Sequence, residues 1–527
     1  MTTINTKTTH PIPMPSNPLK PGVIAYQNGD FDLKDGSKRP AFPHFTNTHD
    51  NFYKPVDIPI NKRNFIYSPC SPNPEFTQLG YCTTEYPFEK PGFNVMDRSA
   101  GISFKDKSNQ IVSVGKTMGW RTSRCDVCVK EGAAYWEVKV VKGGSTMHPI
   151  DDKNGVSEDN IDSSSHLRFG VSRREASLEG PVGFDSYGYG VRDQGLESIH
   201  EGKLKHVLDT SNHVLKEGDT LSFVLNLPKF DAQVNQGKEY TSRRINALRN
   251  ASMKQPASST SIEPWNTVTE EPTAKRRHKM DKNTDFQLAL LEDIKYNDIV
   301  RDHIAIRYKN QLFFEATDYI KTTKPEYYSS DKRERQDYYS LENSFLSVYL
   351  NGVFVGNAFQ DLNPFLPPFS ELQYNEKFYA GYWRNGEYIE DQDEDNQTRN
   401  EDAENVLVHN KKTSHKKGLL LKNKYANNNK LGYYPTVSCF NGGEANIVME
   451  KSKLKYFDTI VPPNSLIKND IKTLDDIFME QVADDIVWDI IDEVEEEVNA
   501  KRRGKSPTLN PTPLIKPETG HELNITS

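Results

Sequence analysis

Residues 348 to 355 read Val-Tyr-Leu-Asn-Gly-Val-Phe-Val, with the pair Asn351-Gly352 set between two β-branched and aromatic runs. Asn-Gly accepts the positive φ values of a type I′ turn, whose twist matches that of antiparallel strands, so this segment predicts a β-hairpin. Comparable runs, divided by turn residues, occur at Ile102–Phe104, Ile111–Val114, Tyr135–Val141, Leu167–Val171 and Leu221–Leu227. They recur at Ile304–Tyr308, Gln311–Phe314, Phe378–Trp383, Tyr433–Val437 and Ala445–Val448. Short strands at this density predict an all-β antiparallel sandwich.

The stretch His166-Leu-Arg-Phe-Gly-Val-Ser-Arg-Arg174 assigns the faces of one strand. Leu167, Phe169 and Val171 alternate with Arg168, Gly170 and Ser172, so the apolar set is buried and Arg168 points away from the core. Gly180-Pro-Val-Gly-Phe-Asp185 and Tyr187-Gly-Tyr-Gly-Val-Arg192 follow, and such punctuation suits loops at the end of a sandwich, where a rigid scaffold carries recognition residues. This reads as a binding surface. A GxSxG elbow, a GxxxxGK[ST] loop and an HExxH helix are all missing from the sequence. Gly183, Gly188 and Gly190 lack the following helix of a phosphate cradle, and His148, His166, His200 and His206 have no nucleophile placed beside them by motif. The expectation is a protein that is not an enzyme and uses neither metal nor cofactor.

A hydrophobic fraction of 35% and a mean hydropathy of -0.74 imply that much of the chain is solvated, leaving the core to its 25 Phe and 25 Tyr. Residues 1–93, rich in Pro, Asn and Thr with aromatic islands, read as a partly disordered arm around a domain expected at 94–460. Polar insertions interrupt that domain near 145–165, 229–284, 321–340 and 385–430. No run of about 18 apolar residues occurs and the first residues lack a signal peptide's apolar stretch, so a soluble intracellular protein without membrane contact is expected. Cys70, Cys82, Cys125, Cys128 and Cys439 are an odd, scattered set that suits a reducing compartment. Cys125-x-x-Cys128 has no second pair at zinc spacing, so structural thiols are expected there.

Charge is uneven behind its net value of -8. Lys275, Arg276, Arg277 and Lys279 form a basic cluster open to three readings: a nuclear-import signal, a patch for nucleic-acid phosphates, or a solvated loop. The last insertion runs from acidic Asp391–Asp395 to basic Lys411, Lys412, Lys416 and Lys417.

After Val461-Pro-Pro-Asn464 an amphipathic α-helix is expected at 473–499, with Thr473 as N-cap and Asp475 and Asp476 in the first turn. Ile477, Val487, Ile490, Ile491, Val494 and Val498 recur at helical spacing, widened by Leu474, Phe478, Ala483 and Ile486. Asp484, Asp485, Asp489, Asp492, Glu493 and Glu495–Glu497 take the other faces. Such a stripe is buried either in a partner's groove or against the sandwich. The acidic face and the Pro-Pro linker favour a detachable ligand for a partner. Residues 500–527 read as a disordered tail.

Gly119-Trp-Arg-Thr-Ser-Arg124, Glu131-Gly-Ala-Ala-Tyr-Trp-Glu-Val138, Leu167–Val171, Pro181–Asp185, Glu217-Gly-Asp219 and the Asn351-Gly352 hairpin together resemble a SPRY domain. With Ile306–Glu315, Tyr434–Ser438 and Asp485–Val498 added, residues 55–500 resemble the SPRY subunit of the COMPASS histone H3 lysine 4 methyltransferase, in its budding-yeast form. That resemblance implies a non-catalytic nuclear scaffold without cofactor. Its SPRY domain would bind an acidic segment of a WD-repeat propeller subunit, and the pair would hold the SET-domain catalytic subunit active, meeting the nucleosome indirectly, with DNA contact through basic loops left open. The pocket implied by motif position is Trp120, Arg168, Pro181 and Arg192, in which two arginines suit carboxylates and Trp120 and Pro181 supply apolar walls. The alternative for Arg168 and Arg192 is pairing with acids of the same chain. The helix would dock into a small Dpy-type dimer through Val487, Ile490, Ile491 and Val494. The chain departs from animal members in its long insertions and in lacking Cys/His spacing for a PHD-like region. A SPRY substrate receptor of a ubiquitin-ligase or signalling complex is the alternative class, although no RING or ligase-recruiting box is visible.

Overall fold

The computed structural model describes residues 45–49, 51–61, 65–72, 90–144, 165–208, 215–253, 339–372, 425–460 and 471–502, most of 288–321, and short pieces near 76, 81 and 383–388. Among them two sheets stack into a sandwich. The larger runs in the order Phe45–His49, Phe52–Pro55, Ile102–Lys105, Ile111–Val114, Glu444–Val448, Gly132–Lys142, Thr220–Leu227, Phe345–Leu350 and Val353–Gln360. Ile471–Thr473 lies parallel beside Gly132–Lys142; the other named pairings are antiparallel. The second sheet runs Lys203–Val207, Glu197–His200, Gly188–Arg192, His166–Ser172, Tyr434–Phe440, Arg121–Cys125 and Phe93–Arg98. The all-β antiparallel sandwich is therefore borne out.

Alternation builds the core. Leu167, Phe169 and Val171 are fully buried from one sheet and Trp136, Val138 and Phe223 from the other, all in a single cluster. Trp136 and Phe223 are register partners whose rings stack at 5.3 Å, because facing residues of an antiparallel pair share a side of the sheet. The hairpin has the expected turn, with φ of 51° at Asn351 and 85° at Gly352. Buried charge ties the second sheet's flank together. Arg124 grips Asp97 through two bonds of 2.8 Å and Arg174 adds a third at 2.7 Å. Burial alone would raise the Asp97 carboxyl, but the two guanidiniums outweigh it and hold it at about 2.

The polar stretch expected at 229–284 begins as an α-helix, Phe230–Met253. Its buried stripe is Gln233, Val234, Tyr240, Thr241, Arg244 and Leu248, so half of what faces the domain is polar and the apolar period is hidden. Gln233 earns its place by donating to the Lys130 and Pro228 carbonyls, both at 2.8 Å. Parts of the expected arm are ordered, since Phe45–His49 and Phe52–Pro55 extend the larger sheet and Phe65–Pro69 pairs with Gln311–Thr317. Among the described residues no helix is long and apolar enough to cross a membrane. Lys275, Arg276, Arg277 and Lys279, and most of the four insertions, lie outside the described residues.

Candidate functional site

Arg168 and Arg192 are register partners on neighbouring strands, which places both guanidiniums on the outer face of the second sheet. The loop Gly180–Asp185 lies across this face. Thr122 Oγ1 donates to the Gly180 carbonyl at 2.7 Å and the Val182 N–H donates to Ser438 Oγ at 2.9 Å, fixing the loop from below. Gly190 permits the approach: a Cβ there would sit 2.3 Å from the Val182 carbonyl oxygen. The glycines of this stretch serve close backbone packing.

The loop and Trp120 flank the Arg168 guanidinium. The Arg168 guanidinium carbon sits 5.1 Å from the Trp120 ring centroid, and Trp120 in turn packs on Phe440 at 5.3 Å. Arg168 Nη1 donates to the Val182 carbonyl at 3.3 Å, next to half-buried Pro181. Its Nε is buried and meets no acceptor. Burial first, and then Arg192 beside it, lower Arg168 to about 10 against the opposing pull of Asp193 and Glu197, so its charge is under-compensated and a carboxylate placed here would relieve it. Arg192 differs, for it donates to Glu197 and, at 3.0 Å, to Gln194 Oε1. The same-chain alternative thus holds for Arg192, whereas Arg168 has no ion pair among the described residues. Glu197 and Gln194 were not legible as pocket residues, although Arg192-Asp-Gln-Gly-Leu-Glu197 is a turn that brings positions 192 and 197 face to face.

The second candidate surface is the helix Leu474–Arg502. Thr473 caps it as expected: its Oγ1 accepts the Asp476 N–H at 3.2 Å, while its own N–H donates to Asp476 Oδ2 at 3.0 Å. The helix is not detached. Leu474, Phe478, Gln481, Asp485, Asp489 and Asp492 form one stripe turned toward the domain, and its chemistry changes along its length. Leu474 and Phe478 enter the core, and Gln481 bridges the Cys128 N–H and the Asp126 carbonyl at 3.2 and 3.0 Å. Asp485 then meets Lys430 at 2.8 Å, and Asp489 and Asp492 share Arg301 at 2.8 and 2.9 Å. Burial, Asp489 and Glu495 together outweigh the pull of Arg301 and raise Asp492 to about 7. The expected detached ligand with an outward acidic face is therefore corrected: three acids are the clamp.

One outward ridge of the helix is apolar, beside exposed Glu480, Asp484 and Glu495. Val487, Ile490 and Val494 are 54%, 51% and 51% exposed, flanked by Met479, Ile486 and Val498, while Ile491 is half-buried. Exposed apolar side chains gathered in one ridge are uncommon on a surface that stays in water.

No family model matches the chain. The Saccharomyces cerevisiae protein named COMPASS component BRE2 is 52% identical over 513 residues, spanning 91% of this chain and 99% of that protein. The chain belongs to the BRE2 family of COMPASS components. A Colletotrichum higginsianum relative named COMPASS component cclA is 27% identical, over 92% of this chain and 74% of its own length. The Schizosaccharomyces pombe Set1 complex component ash2 is 25% identical over 92% of this chain but 53% of itself. A solved SPRY domain of human HERC1 aligns with 26% of this chain at 18% identity and a TM-score of 0.18.

Proposed function

We propose that this chain is a non-catalytic, nuclear subunit of a COMPASS-type complex and raises histone H3 lysine 4 methylation by a SET-domain subunit. The observation that carries this reading is the 52% identity that runs through 91% of the chain to a named COMPASS component. In this reading the pocket of Trp120, Arg168, Pro181 and Arg192 binds an acidic segment of the WD-repeat propeller subunit. A guanidinium on an aromatic wall, with an unmet donor beside it, supports that assignment. The ridge of Val487, Ile490, Ile491 and Val494 receives the small Dpy-type dimer, which its exposed apolar side chains support.

Reconstitution with purified partners tests both surfaces. Arg168→Ala with Arg192→Ala is expected to weaken the propeller subunit's binding by about 2–5 kcal/mol, the scale for truncating one side of a desolvated charge contact. Ile490→Asp with Val494→Asp is expected to abolish capture of the dimer and leave the propeller contact intact. Each loss should lower methyl transfer to histone H3 in the assembled complex. Full methylation by a complex that lacks this chain would overturn the reading.

A further inference from the structure

The two arginines of the pocket are not equivalent. Both face outward from paired strands, yet Arg192 already holds a carboxylate and Arg168 does not. Glu197 reaches Arg192 because the intervening turn folds back tightly, with φ of 62° at Gly195 and 46° at Leu196. The pair stands at the mouth of the pocket, the Arg192 side chain 36% and the Glu197 side chain 27% exposed. An ion pair so placed is in contact with water and is cheap to open. Arg168 lies deeper, stacked on Trp120 with a buried, unmet Nε on the fork edge that a carboxylate matches.

We infer that Glu197 is an in-built competitor for the pocket: an incoming acidic segment anchors one carboxylate on Arg168 and gains Arg192 only by displacing Glu197. This rests on the reading of the pocket as an acidic-segment site and adds an order of engagement to it. The favoured partner is a segment with two carboxylates, one for the buried arginine and one to replace Glu197. A segment with a single carboxylate binds Arg168 and leaves the outer pair closed. Glu197 thereby lowers the gain that a second carboxylate brings, without lending anything to the bound state.

The test is the affinity of the purified propeller subunit for the full chain, by titration calorimetry, in wild type and four variants whose folding is checked by circular dichroism. Glu197→Gln is expected to bind about two- to fivefold tighter, the gain from removing a half-exposed ion pair. Arg168→Ala is expected to lose at least about tenfold, Arg192→Ala less. Adding Glu197→Gln to Arg192→Ala should give a smaller gain than in wild type, since only the repulsion between Glu197 and the segment remains to be removed. Unchanged or weaker binding by Glu197→Gln, with Arg168→Ala still impaired, overturns the competitor and leaves the pocket standing. Binding that is unaffected by both Arg168→Ala and Arg192→Ala overturns the pocket itself.

Discussion

Replacing Arg301 by Met removes the guanidinium that Asp489 and Asp492 share and keeps most of the volume of its stem. The Arg301 and Asp489 side chains are 5% and 4% exposed, so solvent does little to screen them. Breaking one side of such a pair costs about 3–5 kcal/mol if the acids stay buried. They have an escape, because the distal half of the helix can lift and rehydrate them. The proximal turns cannot follow, since Leu474 and Phe478 are buried in the core at roughly 1.5–3 kcal/mol each. The expected result is a split helix: amide protection persists up to about Gln481 and falls about 100-fold or more from Asp485 to Val498, as 3 kcal/mol corresponds to two decades. Hydrogen exchange with mass spectrometry reads this directly. Adding Asp489→Asn and Asp492→Asn should restore most of the protection by removing the stranded charge. Undiminished protection in Arg301→Met alone would refute the idea that charge clamps this half of the helix.

Two further predictions follow from the same geometry. Asp492 stands at about 7, above an ordinary aspartate, so the docked helix binds a proton more tightly than the undocked one. Docking is then strongest below the free aspartate value and is lost progressively as pH rises through about 7; exchange corrected for intrinsic rate should show tighter docking at pH 6 than at pH 8, a difference that Asp492→Asn abolishes. Gly190→Ala places a methyl 2.3 Å from the Val182 carbonyl and 3.2 Å from Arg168 Cδ. Displacing the Gly180–Asp185 loop should cost about 1–3 kcal/mol of stability and weaken the propeller contact. Native-strength binding by a folded Gly190→Ala chain would show that the loop's position is irrelevant to the pocket.

The strands were legible because their signals are local. Leu167, Phe169 and Val171 alternate without interruption, and Asn351-Gly352 states its own turn. The pocket was legible in part: the outward direction of Arg168 follows from a period of two, but the partners of Arg192 depend on a turn whose geometry a sequence does not print. The helix Phe230–Met253 escaped notice because Gln233, Thr241 and Arg244 occupy its buried stripe, and a polar residue there breaks the pattern that period analysis seeks. Tertiary hydrogen bonds, such as those of Gln233 to Lys130 and Pro228, are what make that stripe tolerable inside.

The terminal helix carries the sharper lesson. Its sequence contains an apolar ridge and an acidic ridge, and both are visible from spacing alone. Hydrophobicity ranks the apolar one as the buried face, yet beyond the first turns, where Leu474 and Phe478 are buried, Asp485 and Asp489 are inside while Val487, Ile490 and Val494 are outside. The decision is made by Arg301 and Lys430, which lie 188 and 55 residues from their acids and have no local signature. A buried charge is tolerated only when it is paired, so once these two cations are fixed by the sandwich the acidic ridge has a place to go and the apolar ridge has none. The clamp does more than hold the helix. By using the polar face for attachment within the chain, it leaves Val487, Ile490 and Val494 presented in one fixed orientation, so that a groove meeting them binds a helix already ordered and docked.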